Sequence, residues 1–321
     1  MKKIVSIILA AALALSVFAG CSGKSDKDKG KLKILTTIAP QYDWLKNLTD
    51  GAKDVELNML LDTGADLHSF QPSTDDIYQV SSCDVFVYTG GNSDKWVDNA
   101  LKNNEKVLAI NLMELLGDKA KEEETVEGMQ AEEEEEEEGG KEYDEHIWLS
   151  LKNADYICEK ITEKLSEKDS KNKDVYEKNQ KSYSEKLKKL DGEYENSVRN
   201  AQNNTLIFAD RFPFRYMTDD YKLKYYAAFV GCSAETEASF KTVKFLADKL
   251  TELKLPALMT IDGSDQKIAK TVRDTSEIKN AEILTINSMQ SMKHDDIEKG
   301  NDYIKVMKDN LEVLKRRLIN I

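Results

Sequence analysis

Histidine is scarce in this chain: His68, His146 and His294 are the only three in 321 residues. A neutral imidazole nitrogen is a common ligand for zinc and related divalent cations. His68 sits in GADLHSFQPS, a glycine- and proline-flanked loop after an apolar run. His146 sits in EYDEHIWLS, directly after a strongly acidic stretch. Both places suit a site in an α/β protein, where ligands gather beyond the carboxyl ends of parallel strands. Two histidines so far apart leave a metal site and a structural or solvated role both open. His294 follows the last expected strand and reads as a surface residue. Cys83, Cys158 and Cys232 lie in apolar surroundings and read as buried thiols rather than ligands or redox groups. Neither an H-E-x-x-H motif nor a nucleophile motif occurs, so a metallohydrolase is disfavoured and the chain is expected not to be an enzyme.

The elements that must position these histidines follow from hydrophobic patterning. Short β-branched, apolar runs at 32–38, 55–61, 84–88 and 107–111 predict four strands. Tyr42, Trp44, Leu45 and Leu48 mark a helix between the first two. Runs at 205–209, 225–230, 257–261 and 282–286 predict a second set, with a Ser-capped amphipathic helix at 239–253 and a closing helix at 302–318. Between the two sets, Tyr176, Tyr183, Leu187, Leu190, Tyr194 and Val198 recur at helical spacing over 173–202. Strands alternating with helices imply mostly parallel sheets. The fold class is therefore α/β, as two α/β lobes joined by one long rigid helix.

Length and charge agree with this outline. A chain of 321 residues is long enough for about two domains. Its formal net charge of −13 gives no general attraction to nucleic acid phosphates, so no nucleic acid partner is expected. That charge is concentrated. Residues 122–145 hold 14 acids and one base, including seven consecutive glutamates at 132–138, and should form a mobile loop.

The N-terminus reads as a targeting segment. Lys2 and Lys3 precede an apolar run of 16 residues, Ile4 to Ala19, shorter than the ~20 needed to span a bilayer. The end, Phe18-Ala19-Gly20-Cys21, resembles a bacterial lipobox, with Phe where Leu is usual. That resemblance makes Cys21 the lipidated first residue of the mature chain, followed by a polar tether. The expected organisation is a signal at 1–20, tether at 21–31, N-terminal lobe at 32–172, bridging helix at 173–202 and C-terminal lobe at 203–321.

The segments TTIAPQYDWLKNLT, GADLHSFQPSTDD, DVFVYTGG, EYDEHIWLSLKNA, GCSAETEAS and GNDYIKVMKDNLEVLK together resemble the metal-specific solute-binding proteins of bacterial ABC importers, the zinc- and manganese-binding cluster. The resemblance covers nearly all of 32–318. It implies two α/β lobes bridged by a rigid helix, with one metal ion held in the cleft. It makes His68 the first ligand, although Leu67 stands where Pro is usual, and His146 the second. The slot of the third ligand holds Arg211, which stays protonated and cannot coordinate a cation. The adjacent Asp210 is the expected third ligand, and Asp262 the fourth. Glu235 and Glu237 are expected near the cleft as supporting or docking groups.

Nitrogen and oxygen donors suit zinc or manganese, with zinc expected first. Zinc relatives carry a His-rich loop before the second histidine. The Glu-rich run here either collects cations weakly or is simply solvated. The implied protein is a monomer, anchored by lipid on Cys21 to the outer face of the cell membrane, that delivers zinc (or manganese) to an ABC permease and its ATPase. A metal-binding adhesin or chaperone without a transport role is the alternative.

Overall fold

The computed structural model describes residues 30–102, 104–130, 142–233 and 237–318. The signal, Cys21, the seven glutamates and Glu235 lie outside the described residues. No helix among the described residues is long and apolar enough to cross a membrane.

Among the described residues, eight parallel strands form two sheets. The first contains β1 (Leu32–Thr36), β2 (Val55–Met59), β3 (Val85–Tyr88) and β4 (Leu108–Asn111) in the order β2-β1-β3-β4. The second contains β5 (Thr205–Phe212), β6 (Lys224–Val230), β7 (Ala257–Ile261) and β8 (Glu282–Ile286) in the order β6-β5-β7-β8. Each sheet reverses its winding direction beside its first strand, which opens a crevice at the carboxyl ends. The expected strands all form, and β7 and β8 match their apolar runs to the residue.

The long helix spans Lys173–Arg199, about 40 Å at 1.5 Å per residue. Its buried stripe is Tyr176, Tyr183, Leu187, Leu190 and Tyr194, with Ser184 beside it. It serves both lobes. Asn179 donates to the carbonyls of Leu48 and Asp50 in the N-terminal lobe, while the Tyr194 hydroxyl donates to the carbonyl of Met307 in the last helix, Tyr303–Leu318. One continuous hydrophobic core runs from Ile34 through Leu187 to Leu318, so the lobes share packing rather than a bare hinge. A second apolar cluster lies around Leu246, Leu258 and Val272 in the C-terminal lobe.

The expected mobile loop is ordered at both feet. Glu122 bridges Tyr143 in antiparallel fashion, and Asp144 N–H donates to the Lys121 carbonyl. Gln130 N–H donates to the Ala228 carbonyl, and its side chain accepts from Ser239 N–H. Gly128 lies so close to the Phe245 ring that a Cβ would sit 2.0 Å from it. Acid composition alone conceals these contacts, because each is made with partners distant in sequence. Residues 122–130 thus form a second crossing between the lobes.

Asp43 ties three helices together. It lies in the helix Ala39–Leu48, is 2% exposed, and accepts from the Tyr183 hydroxyl at 3.3 Å and from Tyr303 N–H at 3.2 Å. Burial, aided by the charge of Asp302, pushes its carboxyl up to about 6. The raised value favours the protonated fold: that contribution is complete below the ordinary 3.8 and is lost as pH rises through about 6. Asn has the same shape and no charge. Asp43→Asn is therefore expected to gain about 2–3 kcal/mol on the wild type between about pH 4 and pH 8. Urea midpoints at the two pH values read the difference, and a constant gap would show that Asp43 titrates as it would in water.

Candidate metal centre

The loop after β2 carries His68 on a short 3-10 turn, Leu67–Ser69, capped by Asp66, whose carboxylate accepts from His68 N–H at 3.0 Å. His146 begins another turn, Ile147–Leu149, whose Trp148 is buried and donates its indole N–H to the Ser288 carbonyl of the opposite lobe at 2.9 Å. The foot of the acidic segment is fixed from that lobe as well. The Tyr216 hydroxyl accepts from Lys121 N–H at 3.0 Å and donates to the Asp144 carbonyl at 2.8 Å.

These anchors bring the two imidazoles together with their planes tilted by 59° and their Nε2 atoms 3.0 Å apart. His146 is completely buried, and the His68 side chain is 12% exposed. The Asp144 carboxylate accepts from both the backbone N–H of His146 at 2.8 Å and its Nδ1 at 2.9 Å. A carboxylate only accepts, so Nδ1 carries the proton and the Nε2 lone pair of His146 points at His68. His68 Nδ1 lies 2.8 Å from the Ser93 hydroxyl. Ser93 is held in turn by its N–H donating to Glu145 Oε1 at 2.8 Å. Burial, together with the neighbouring His146 and the Arg211 guanidinium, holds His68 down to about 3, against the pull of Asp66. Its imidazole is therefore neutral and has a lone pair to offer.

The third donor in this group is sulfur. Ligand atoms of His68, His146 and Cys232 all lie within 4.8 Å of one another. Cys232 follows β6 and faces a cleft of about 610 Å³ also lined by Asp66, Asp210, Arg211 and Asp262. Burial pushes its thiol well above the ordinary value, and the charges of Glu123, Glu145 and Asp144 act the same way. Cys232, read from the sequence as a buried thiol, is thus placed beside both imidazoles. Cys158 is buried and Cys83 half-buried, away from the group. Gly231 makes the approach possible, because a Cβ there would meet His146 Cε1 at 2.8 Å and the Phe212 carbonyl at 3.0 Å.

The two expected aspartate ligands line the same cleft, yet neither belongs to this donor group among the described residues. β5 gains one residue against β6 between Phe208 and Arg211, a bulge that interrupts the ladder. Asp210 repairs the interruption, accepting from Arg211 N–H at 2.9 Å and from Ile261 N–H of β7 at 3.4 Å. Asp262 Oδ1 accepts from Ser288 N–H at 2.6 Å and from its hydroxyl at 2.8 Å, closing the loop after β8. Arg211 pairs with Asp66 across the cleft at 3.0 Å. Glu237 is exposed outside the cleft lining. His294 lies apart, with Nε2 2.9 Å from the Tyr42 hydroxyl.

Sequence reasoning found both imidazoles, and gave no sign that Cys232 would stand within 4.8 Å of them or that the Gln290 amide nitrogen would approach His146 Nε2 at 3.0 Å. The GCS triplet was a usable signal for Cys232, since a glycine beside a cysteine permits close approach to another side chain. Replacing that glycine tests the packing. Gly231→Ala is expected to displace the His146 ring and weaken metal binding by roughly the 10–100-fold typical of mispositioned ligands, read by isothermal titration against an unchanged circular dichroism spectrum. Equal affinity would show that the ring has room to move.

The comparisons with known proteins follow this geometry. The family model "Zinc-uptake complex component A periplasmic" matches residues 34–317. The chain is 30% identical to the zinc-binding lipoprotein AdcA of Streptococcus pneumoniae over 98% of its own length, and spans 61% of that relative. It is 32% identical to the manganese ABC transporter substrate-binding lipoprotein PsaA of the same species, over 99% of both chains. Among solved structures, the Zn(II)-bound ZnuA-like domain of Streptococcus pneumoniae AdcA superposes with a TM-score of 0.70 at 27% identity, covering 90% of this chain and 99% of that one. Two parallel-sheet lobes, a bridging helix and a family match across nearly the whole folded region place this chain in the family of the zinc-uptake complex component A.

Proposed function

We propose that the chain captures one divalent metal ion, zinc first, between its two lobes outside the cell and hands it to an ABC permease driven by its ATPase. The supporting observation is the pair of Nε2 atoms facing each other at 3.0 Å, with His146 Nδ1 held by a carboxylate. Two nitrogens on one tetrahedral zinc at ~2.0–2.1 Å stand about 3.3 Å apart, so the rings need separate only slightly to admit the ion. The role is binding and release, without catalysis. Lipidation of Cys21 would anchor the chain to the outer membrane face as a monomer, leaving the cleft free to dock.

In this reading Asp210 and Asp262 are carboxylates of the cleft wall. They lower the energy of a cation approaching His68, while Glu235 and Glu237 act as supporting or docking groups. Manganese is the second reading, favoured by the identity with PsaA. Competition between zinc and manganese on the purified mature chain decides between them. His68→Ala combined with His146→Ala should abolish the tight equivalent in a zinc titration; a variant that still binds one zinc as tightly as the parent removes the assignment. Asp144→Asn should keep the fold and lower zinc affinity by about 10–100-fold, because the ring loses its fixed tautomer. Equal affinity in that titration would show that the carboxylate has no hold on the ligand.

A further inference from the structure

Five carboxylates stand around the imidazole pair. One, Glu145, accepts from Ser93 N–H through Oε1 and has its Oε2 4.0 Å from His68 Nδ1, not beside the Nε2 that faces His146. The other four are already engaged by protein donors. Asp66 accepts from His68 N–H and Arg211, Asp144 from His146, Asp210 from two backbone N–H groups, and Asp262 from Ser288. Coordination by any of them would leave those donors unsatisfied, at a cost that buried groups bear heavily. Two other donors are placed differently. Cys232 Sγ lies within 4.8 Å of the ligand atoms of both histidines. Gln290, on the loop after β8, is 3% exposed and approaches His146 Nε2 with its amide nitrogen at 3.0 Å. Its Oε1 is buried with no hydrogen-bond partner among the described residues. An orphaned buried oxygen beside a ligand nitrogen calls for an occupant of the site. Rotating the amide by half a turn exchanges the two atoms and presents the oxygen where the nitrogen now stands.

The geometry points to His68, His146, the Cys232 thiolate and the Gln290 amide oxygen as the ligands of the captured ion, two from each lobe. This rests on the metal-capture reading above and deepens it by naming the donor set. When the ion binds, a metal–sulfur bond forms and the thiol proton passes to solvent. The His68 proton facing His146 moves to Nδ1, where the Ser93 hydroxyl accepts it. A site with one thiolate, two imidazoles and one neutral oxygen favours zinc over manganese, which prefers all-oxygen or carboxylate-rich surroundings. It also carries a single ligand charge, so the Asp144 carboxylate behind His146 becomes a further counter-charge to the ion.

Cobalt(II) is the probe, added to the purified full mature chain under reducing conditions. One equivalent should give a near-ultraviolet thiolate-to-cobalt charge-transfer band together with the intense visible bands of a four-coordinate ion. Cys232→Ser and Cys232→Ala should remove the ultraviolet band and lower zinc affinity by at least about 10–100-fold, whereas Cys83→Ser should retain the band. Gln290→Leu should keep the sulfur band and weaken zinc, and Cys232→Asp should narrow the preference for zinc over manganese. One equivalent of cobalt bound with no sulfur band, and lost in the His68→Ala, His146→Ala variant, would overturn this donor set while leaving the capture reading intact. Absence of any stoichiometric metal binding by the wild type would overturn both.

Discussion

Two imidazole nitrogens 3.0 Å apart in a buried cleft cannot both present lone pairs to each other unless something positive lies between them. In the arrangement seen here that positive element is a single proton. Asp144 fixes the proton of His146 on Nδ1, so the shared proton must belong to His68, and Ser93 then donates to His68 Nδ1. The His68 ring is neutral, because burial strips water from it and a charge there would face His146 and Arg211. The fold holds together a pair of donors that repel unless a cation or a proton separates them. Much of the surrounding architecture can be understood as the means of enforcing that proximity.

The enforcement comes from both lobes. His68 rides on a loop capped by Asp66, and Asp66 is gripped by Arg211 from the far side of the cleft. His146 is fixed by Trp148 reaching Ser288, and by Tyr216 pinning the start of its loop at Lys121 and Asp144. A shared hydrophobic core, the helix Lys173–Arg199 and the segment 122–130 resist separation of the lobes. Opening the cleft widely would break buried contacts at several places at once. Adjustments at the site are therefore expected in loops and side chains, such as an amide rotation or a spreading of two rings, more than in rotation of whole lobes.

What the sequence discloses divides along physical lines. Strands and the long helix were legible because burial imposes periods of two and 3.6, and β7, β8 and the stripe from Tyr176 to Tyr194 follow them closely. The two histidines were legible because the residue type is rare and carries its chemistry with it. Cys232 was not, since a cysteine beside apolar residues looks the same whether it fills a core or lines a site. Gln290 was not, since only its partners reveal an orphaned oxygen. Asp210 and Asp262 fall in the right cleft, but their carboxylates serve the backbone: one compensates a bulge and the other closes a loop. Such hydrogen bonds depend on a local register that no spacing in the sequence announces. The ends of the acidic segment were hidden for a related reason, because Gln130 and Gly128 find their partners in the other lobe.

Arg211 gives this arrangement its logic. A permanent cation in the cleft should repel a divalent ion, and its side chain can donate hydrogen bonds but never coordinate. The structure answers by pairing the guanidinium with Asp66 at 3.0 Å, which cancels its charge and spends it on holding the His68 loop. A residue that cannot be a ligand thereby positions one. An arginine at this position offers no donor, so any ion held there must find its ligands elsewhere. Cys232 and the unpaired oxygen of Gln290 are two groups the fold leaves close to the facing nitrogens, and both belong to the lobe opposite His146. In the donor set inferred above, the arginine at β5 and the sulfur after β6 are two sides of one change. They would shift the cleft from hard oxygen donors toward a thiolate, and with it the metal the protein can hold most tightly.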